Sequence, residues 1–158
     1  MNKPLTPEKQ PRLGEIGLGN YAPYLMNRIM GRYNSDLRDQ TQALGLTTPK
    51  MRALAVLSVI DGILIRELAV YAVIDVSTLS RALDQLEAQG LLRRDPDPSD
   101  NRATRVTITT AGRATFEMLW PTMANAYQQM FDGIPAGERQ AFVATLQKIL
   151  NNIRVHEF

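Results

Sequence analysis

Cysteine is absent from all 158 residues, so the chain can build no disulfide, thiolate metal site or thiol redox switch. Histidine is nearly absent: His156 stands alone, with no second imidazole to share a metal ion or a catalytic proton. No apolar run approaches the ~18 residues that a membrane-spanning helix requires. The opening residues, MNKPLTPEKQ, lack the charged-then-apolar order of a secretory signal. A soluble, cytoplasmic protein with no membrane partner is therefore expected. Net charge is also scarce: 18 Lys+Arg against 16 Asp+Glu leave +2, so any attraction for a polyanion must come from where the arginines sit. No nucleophile motif, phosphate loop or metal-ligand cluster is visible, and neither an enzyme nor a cofactor or metal site is expected.

What the chain does contain is apolar periodicity. With 44% hydrophobic and 22% charged residues, it can bury one domain, or a small domain plus helices that finish folding against a partner. Residues 1–20 hold Pro4, Pro7, Pro11 and three glycines and read as an extended arm or mobile tail. Tyr24, Leu25, Ile29, Tyr33 and Leu37 then form a helical stripe from Tyr21 to about Leu44. Gly45 ends that helix, Thr48 caps the next and Pro49 suits its first position. Met51 to Ile60 reads as a buried helix, and Ile63 to Val73 as a short one with Leu64, Leu68 and Tyr71 or Ala72 inward.

The most telling stretch runs from Asp75 to Gly112, DVSTLSRALDQLEAQGLLRRDPDPSDNRATRVTITTAG. Leu79, Leu83 and Leu86 recur at helical spacing, so Ser77, Thr78, Ser80, Arg81 and Gln85 point away from the core. Asp75 is placed to accept from the first free amides of that helix, and two short helices joined through Ile74 and Asp75 make a helix-turn-helix. After Gly90 comes a strand, Leu91 to Arg94. DPDPSDN has the composition of a long exposed tip, and Thr104 to Thr109 returns with Val106 and Ile108 on one face. Thr109 caps a long helix striped by Phe116, Trp120, Tyr127 and Phe131, with a bend expected at Pro121. The last helix, about Ala136 to Val155, presents Phe142, Leu146, Ile149, Leu150 and Ile153 as a core face. Met26, Met30, Met118, Met123 and Met130 are expected to fill core space.

The run LGLTTPKMRALAVL, then IRELAVYAVIDVSTLSRALDQLEAQGLLRR, then the wing SDNRATRVTITTAG, resembles the MarR (multiple antibiotic resistance regulator) family of winged-helix transcription regulators. The matching features cover most of residues 44–113, and the Asp-x-Arg of the wing, Asp100 and Arg102, is their more specific part. The resemblance implies a mainly α fold with a small β-wing, a winged helix-turn-helix with N- and C-terminal dimerisation helices. Residues 21–158 would form a single domain, with 47–109 as the DNA-binding lobe and 21–44 and 110–158 as the dimerisation helices. It further implies a homodimer that reads double-stranded DNA at an inverted repeat, usually as a repressor. Many relatives release DNA when a small aromatic or phenolic effector binds; here Tyr24, Met26, Arg28, Trp120 and Tyr127 are the candidate ligand-binding residues, with ordinary interface packing as the competing reading.

By the same resemblance, Ser77, Thr78, Ser80, Arg81 and Gln85 would face the major groove and Arg102 at the wing tip the minor groove. Asp100 would hold an arginine, Arg94 or Arg102, in place, and Arg105 would touch phosphate. The chemistry suits such a partner, because cations at the rim serve phosphates while short or bidentate side chains read base edges. The plainer readings are capping for Ser77 and Thr78, and for Arg81 an ion pair with Asp84 or a contact with Gln85. The sequence departs from the family at Val73, where relatives often carry a flexible or polar residue. A β-branched side chain disfavours positive φ, so a turn of different shape, and with it a shifted register of base-reading residues, is expected there. The alternative function is a winged-helix protein–protein adaptor or antirepressor that reads no DNA.

Overall fold

The computed structural model describes residues 10–158 and is mainly helical, with one three-stranded antiparallel sheet. Of the arm expected over 1–20, the first nine residues lie outside the described ones. The remainder is not extended: α1 (Leu13–Ile16) and a 3-10 turn (Leu18–Asn20) follow one another. The chain forms two compact units, one ending at Trp120 and the other comprising Pro121–Phe158. The division falls inside α6 (Thr110–Met130) at Pro121, which has no N–H to give the helix ladder.

In the first unit, α2 (Ala22–Gln42) buries only Leu37 and Thr41 and leaves Leu25, Ile29 and Met30 open. α3 (Thr48–Val59) is the central helix, with Met51, Ala53, Leu54 and Leu57 buried. Its N-cap is Thr47 rather than Thr48, and no side chain caps it; Pro49 tolerates the second helical position because the amide it lacks would have had no partner there. α4 (Ile65–Ala72) buries Leu68, Ala69 and Ala72, and α5 (Val76–Ala88) buries Leu79, Ala82, Leu83 and Leu86. These side chains meet Leu92 and Val106 of the sheet in a core whose leucines 54, 57, 68, 79, 83 and 86 are at most marginally exposed.

The sheet corrects two readings of the sequence. Ile63 and Leu64 do not begin the short helix. They form β1 and pair with Val106 and Arg105 of β3 (Asp100–Ile108); of the two inward candidates at the end of α4, Ala72 is the buried one and Tyr71 is exposed. The DPDPSDN segment is not a long loop: β2 (Leu92–Asp97) pairs with β3 as far as Asp97↔Asp100, leaving only Pro98 and Ser99 at the tip. Pro96 is tolerated because the strand order β1-β3-β2 makes β2 an edge, and the register shifts beside it.

Two backbone positions fix how the elements join. At Gly112, in the first turn of α6, an added Cβ would run into the Leu91 carbonyl oxygen and Ile108 Cγ1; only glycine lets the helix start this close to the hairpin. Val73 ends α4 at φ 55° and ψ 51°. The turn thus has the left-handed shape that a β-branched residue was expected to refuse. It is held because the Val73 amide donates to the Val70 carbonyl, the Ile74 amide to the Ala69 carbonyl, and Arg52 Nη1 to the Val73 carbonyl at 3.3 Å. The first two bonds form a Schellman closure with valine in glycine's usual place.

In the second unit, α7 (Ala136–Ile153) buries no residue. Phe142, Ile149, Leu150 and Ile153 are exposed and Leu146 is half-buried, so the stripe read as a core face is not buried by the described residues. Met30 and Met118 are likewise open, against the expectation that they fill core space. Tyr127, Phe131 and Phe142 form an aromatic chain, with centroids 5.1 Å and 6.1 Å apart in successive pairs.

Because Val73 is 79% exposed and stores left-handed strain, Val73→Gly is expected to stabilise the protein by about 1 kcal/mol. Thermal denaturation should show a rise of roughly 2–4 °C; a fall would mean that the valine side chain is supporting the turn.

Candidate nucleic-acid interface

α5 is launched by Asp75, whose Oδ1 accepts from the Thr78 amide at 2.8 Å and from Ser77 Oγ at 2.6 Å. These bonds, the one from Ser77 foremost, hold the Asp75 carboxyl well below the ordinary carboxylate range. The cap expected from the sequence is present. It also engages the Ser77 hydroxyl, and Thr78 and Ser80 are half-buried. Arg81 and Gln85 stand exposed on the outer face. Arg81 makes no ion pair with Asp84 and no hydrogen bond to Gln85, and has no side-chain partner among the described residues.

Asp84 is engaged elsewhere. Arg94 on β2 reaches Asp84 at 2.8 Å and Glu87 at 2.6 Å; Glu87 also accepts from Arg94 Nε at 2.9 Å and from the Arg94 amide at 3.0 Å. Both carboxylates lie on α5, so Arg94 braces the helix against the wing. The pairing lowers the Glu87 carboxyl and raises the Arg94 guanidinium. Arg93 is paired with Asp95 at 3.1 Å.

A second brace holds the wing to the loop before β1. Arg105 donates through Nε to Asp97 at 2.5 Å and through Nη1 to the Gly62 carbonyl at 2.7 Å. Asp97 is only 3% exposed, and its Oδ1 also accepts from the Ser99 hydroxyl and amide and from the Asp100 amide. Hydrogen bonds from Ser99, aided by Arg105, lower its carboxyl to about 2. Asp61 completes the frame: it accepts from the amides of Gly62 and Ile108 and pairs with Arg113 at 3.2 Å. Thr109 Oγ1 accepts from the Gly112 amide while its hydroxyl donates to the Gly90 carbonyl, so the expected cap of α6 is present and is tied to the end of the α5 turn.

Asp100 does not hold the guanidinium of Arg94 or of Arg102. It accepts the Arg102 amide at 3.0 Å, which shapes the ribbon just past the tip and leaves the Arg102 side chain exposed, with no partner among the described residues. Of the basic residues singled out from the sequence, Arg81 and Arg102 are therefore open, whereas Arg94 and Arg105 are internal ties. Three contributors were missed. Glu87 and Asp97 are ordinary acidic residues until the hairpin register is known, and Arg66, exposed in the first turn of α4 without a side-chain partner, belongs to a helix whose start was misplaced.

The candidate effector residues belong to both units. Tyr24 and Arg28 lie one turn apart on α2, with the guanidinium 6.0 Å from the ring centroid and Arg28 Nη1 3.5 Å from the hydroxyl; Met26 lies between them in sequence. Trp120 neighbours Phe116 in the first unit, with centroids 6.2 Å apart. Tyr127 packs with Phe131 and Arg139 in the second. A surface cavity of about 480 Å³ in the first unit is lined by Arg38, Gln42, Gly45, Leu46, Thr47, Thr48 and Pro49. None of the five candidates lines it.

A recognition-type helix braced to an arginine-bearing ribbon defines a winged helix-turn-helix, and the comparisons agree. Residues 44–103 match the MarR family profile. A crystal structure of a MarR-family transcriptional regulator from Silicibacter pomeroyi is 59% identical and superposes with a TM-score of 0.89 over 94% of this chain and 100% of that one. This chain belongs to the MarR family of transcription regulators. The transcriptional repressor IacR of Pseudomonas putida is 24% identical over 90% of this chain and 86% of its own length. BpsR of Bordetella bronchiseptica, whose DNA binding is regulated by 6-hydroxynicotinic acid, is 27% identical with a TM-score of 0.71 over 81% of this chain and 97% of that one. Among the described residues, no helix is long and apolar enough to cross a membrane.

The depressed Asp97 carboxyl has a pH consequence. With a folded value of about 2 against an ordinary 3.8, its contribution to stability is fully present above the ordinary value and is lost as pH falls through 4 toward 2. Melting the wild type and Asp97→Asn from pH 6 to pH 2 should show the gap between them narrowing over that interval; a constant gap would contradict the assignment.

Proposed function

We propose that two copies of this chain associate through their helical ends and bind double-stranded DNA at an inverted repeat. The dimer represses transcription until a small aromatic or phenolic effector weakens the complex. The observation that carries this reading is the contrast among the arginines. Arg93, Arg94, Arg105 and Arg113 are each matched to a carboxylate, while Arg81 on α5 and Arg102 on the wing are left unmatched on elements that Arg94 joins. A surface kept ready for an anionic partner has this form.

In the proposed complex, residues 47–109 are the reading lobe and α5 enters the major groove with Arg81 over base edges, where a bidentate grip on guanine O6 and N7 contributes about 1–3 kcal/mol of discrimination. Ser77, Thr78, Ser80 and Gln85 flank it. Arg102 enters the minor groove, where narrow A·T-rich sequence strengthens the negative potential. Arg94, Asp100 and Arg105 act indirectly by fixing the wing. Residues 21–44 and 110–158 supply the dimer contacts: the open apolar faces of α2 and α7 (Ile29, Met30, Phe142, Leu150, Ile153) are the surfaces a second copy would cover. Two-fold symmetry would set the two α5 helices about 34–36 Å apart, one turn of duplex. The family assignment and the repressor relatives support this reading, and BpsR supports the aromatic class of effector.

Selection from random duplexes followed by anisotropy titration tests the proposal. Enriched sequences should show matching half-sites, and sedimentation should show a dimer. Arg102→Ala should weaken binding to all duplexes by about 5–10-fold and reduce the slope of log K against log salt by about 1. Arg81→Ala should instead relax preference at one base position per half-site. If no duplex is enriched and the wing face captures a protein, the adaptor reading replaces this one.

A further inference from the structure

The entry to α5 carries an apolar edge that the fold does not use. Val76, the first residue of the helix, is 52% exposed, and Val73, three residues earlier, is 79% exposed. Val76 is the one large apolar side chain left exposed along α5 among the described residues. Single exposed valines are commonplace; what distinguishes this pair is the cost of keeping it. Val73 occupies the left-handed region, where glycine or asparagine would fit with less strain. Its side chain is solvent-exposed, so packing within the chain does not repay the strain. Such an outlier points to a role outside the fold.

The geometry points to thymine methyl groups as the occupant: Val76, with Val73 three residues before it, packs on the C5-methyl edge of the major groove. This rests on the proposed DNA reading and adds a specificity to it. The first residues of a recognition helix are those that meet base edges. In the major groove the apolar feature that distinguishes a base pair is the thymine methyl, which apolar side chains read by contact. Arg81 lies one helical turn beyond Ser77 and is suited to guanine, so α5 would read a thymine at its entry and a guanine further along. The Asp75 cap makes Val76 the first helical residue and fixes its Cβ direction.

Replacing each thymine of the selected duplex in turn with deoxyuridine tests the assignment, since it removes the methyl and leaves pairing intact. The full-length wild type should lose about fourfold in affinity at one or two positions per half-site, the size expected for burying a methyl group. In Val76→Ala the penalty should fall close to unity, while the response to salt stays that of the wild type. Val76→Thr, which keeps the shape but exchanges one methyl for a hydroxyl, should reduce it in part and guards against misfolding of the alanine variant. Equal affinity for thymine and deoxyuridine duplexes overturns the assignment while leaving DNA reading intact. A penalty undiminished in Val76→Ala places the contact on another residue and overturns it as well. If no duplex is enriched, the underlying reading fails and this assignment with it.

Discussion

Carboxylates decide which arginines of the winged segment are available. Between Val76 and Arg113 there are six arginines and five carboxylates, so total charge says little. The distribution says more: Glu87 and Asp84 take Arg94, Asp97 takes Arg105, and Asp95 takes Arg93. The Arg94 brace matters most, since its side chain is 25% exposed, and loss of one partner would leave a partly shielded charge without compensation. It ties the outer face of α5 to β2 through the backbone as well as the side chain. Helix and wing therefore hold a common orientation, and the two open arginines, Arg81 and Arg102, acquire a fixed relation that neither element would impose alone.

The same economy runs through the backbone. Asp61 serves two amides and Arg113, and Asp97 serves two amides, a hydroxyl and Arg105. Each is a short side chain at a place where strands end and their backbone groups would otherwise lack partners. Gly112 and Thr109 then pin the first turn of α6 against the hairpin. The start of the long helix is thereby fixed by contacts within the first unit.

Helices with a one-sided apolar stripe were legible from the sequence, because their spacing is local: Leu79, Leu83 and Leu86 are buried as their periodicity requires. So were the Asp75 and Thr109 caps, which depend on residues two and three positions away. β1 was not legible. Two residues have no period, and Ile63 is a strand only because Val106, more than forty residues on, pairs with it. The hairpin tip was misread for a related reason, since Pro96 and Asp97 have loop composition and are held extended by an edge position and by Arg105. At Val73 local preference pointed the wrong way; the closure onto Val70 and Ala69 and the bond from Arg52 outweighed it. The site was half legible: residue types marked the arginines, but only the register shows which are occupied. The apolar stripe of α7 was read correctly as a stripe and wrongly as a core face, because periodicity reports that a face is apolar and cannot report what covers it.

This division of labour limits how binding could be controlled in the proposed dimer. An effector that loosened α5 from the wing would have to compete with the Arg94 brace and with the hydrogen bonds around Asp97, all of which lie within one compact unit. Changing the separation or tilt of the two lobes leaves those bonds intact and still denies the second half-site its groove, because the spacing tolerated by adjoining turns of duplex is narrow. An effector achieves this only through unequal affinity for the two arrangements; a ligand that bound both equally would shift nothing, however tightly it bound. Tight internal bracing of the lobe would thus favour control through the helices proposed to join the copies, and the exposed apolar residues of α7 belong to that proposed junction.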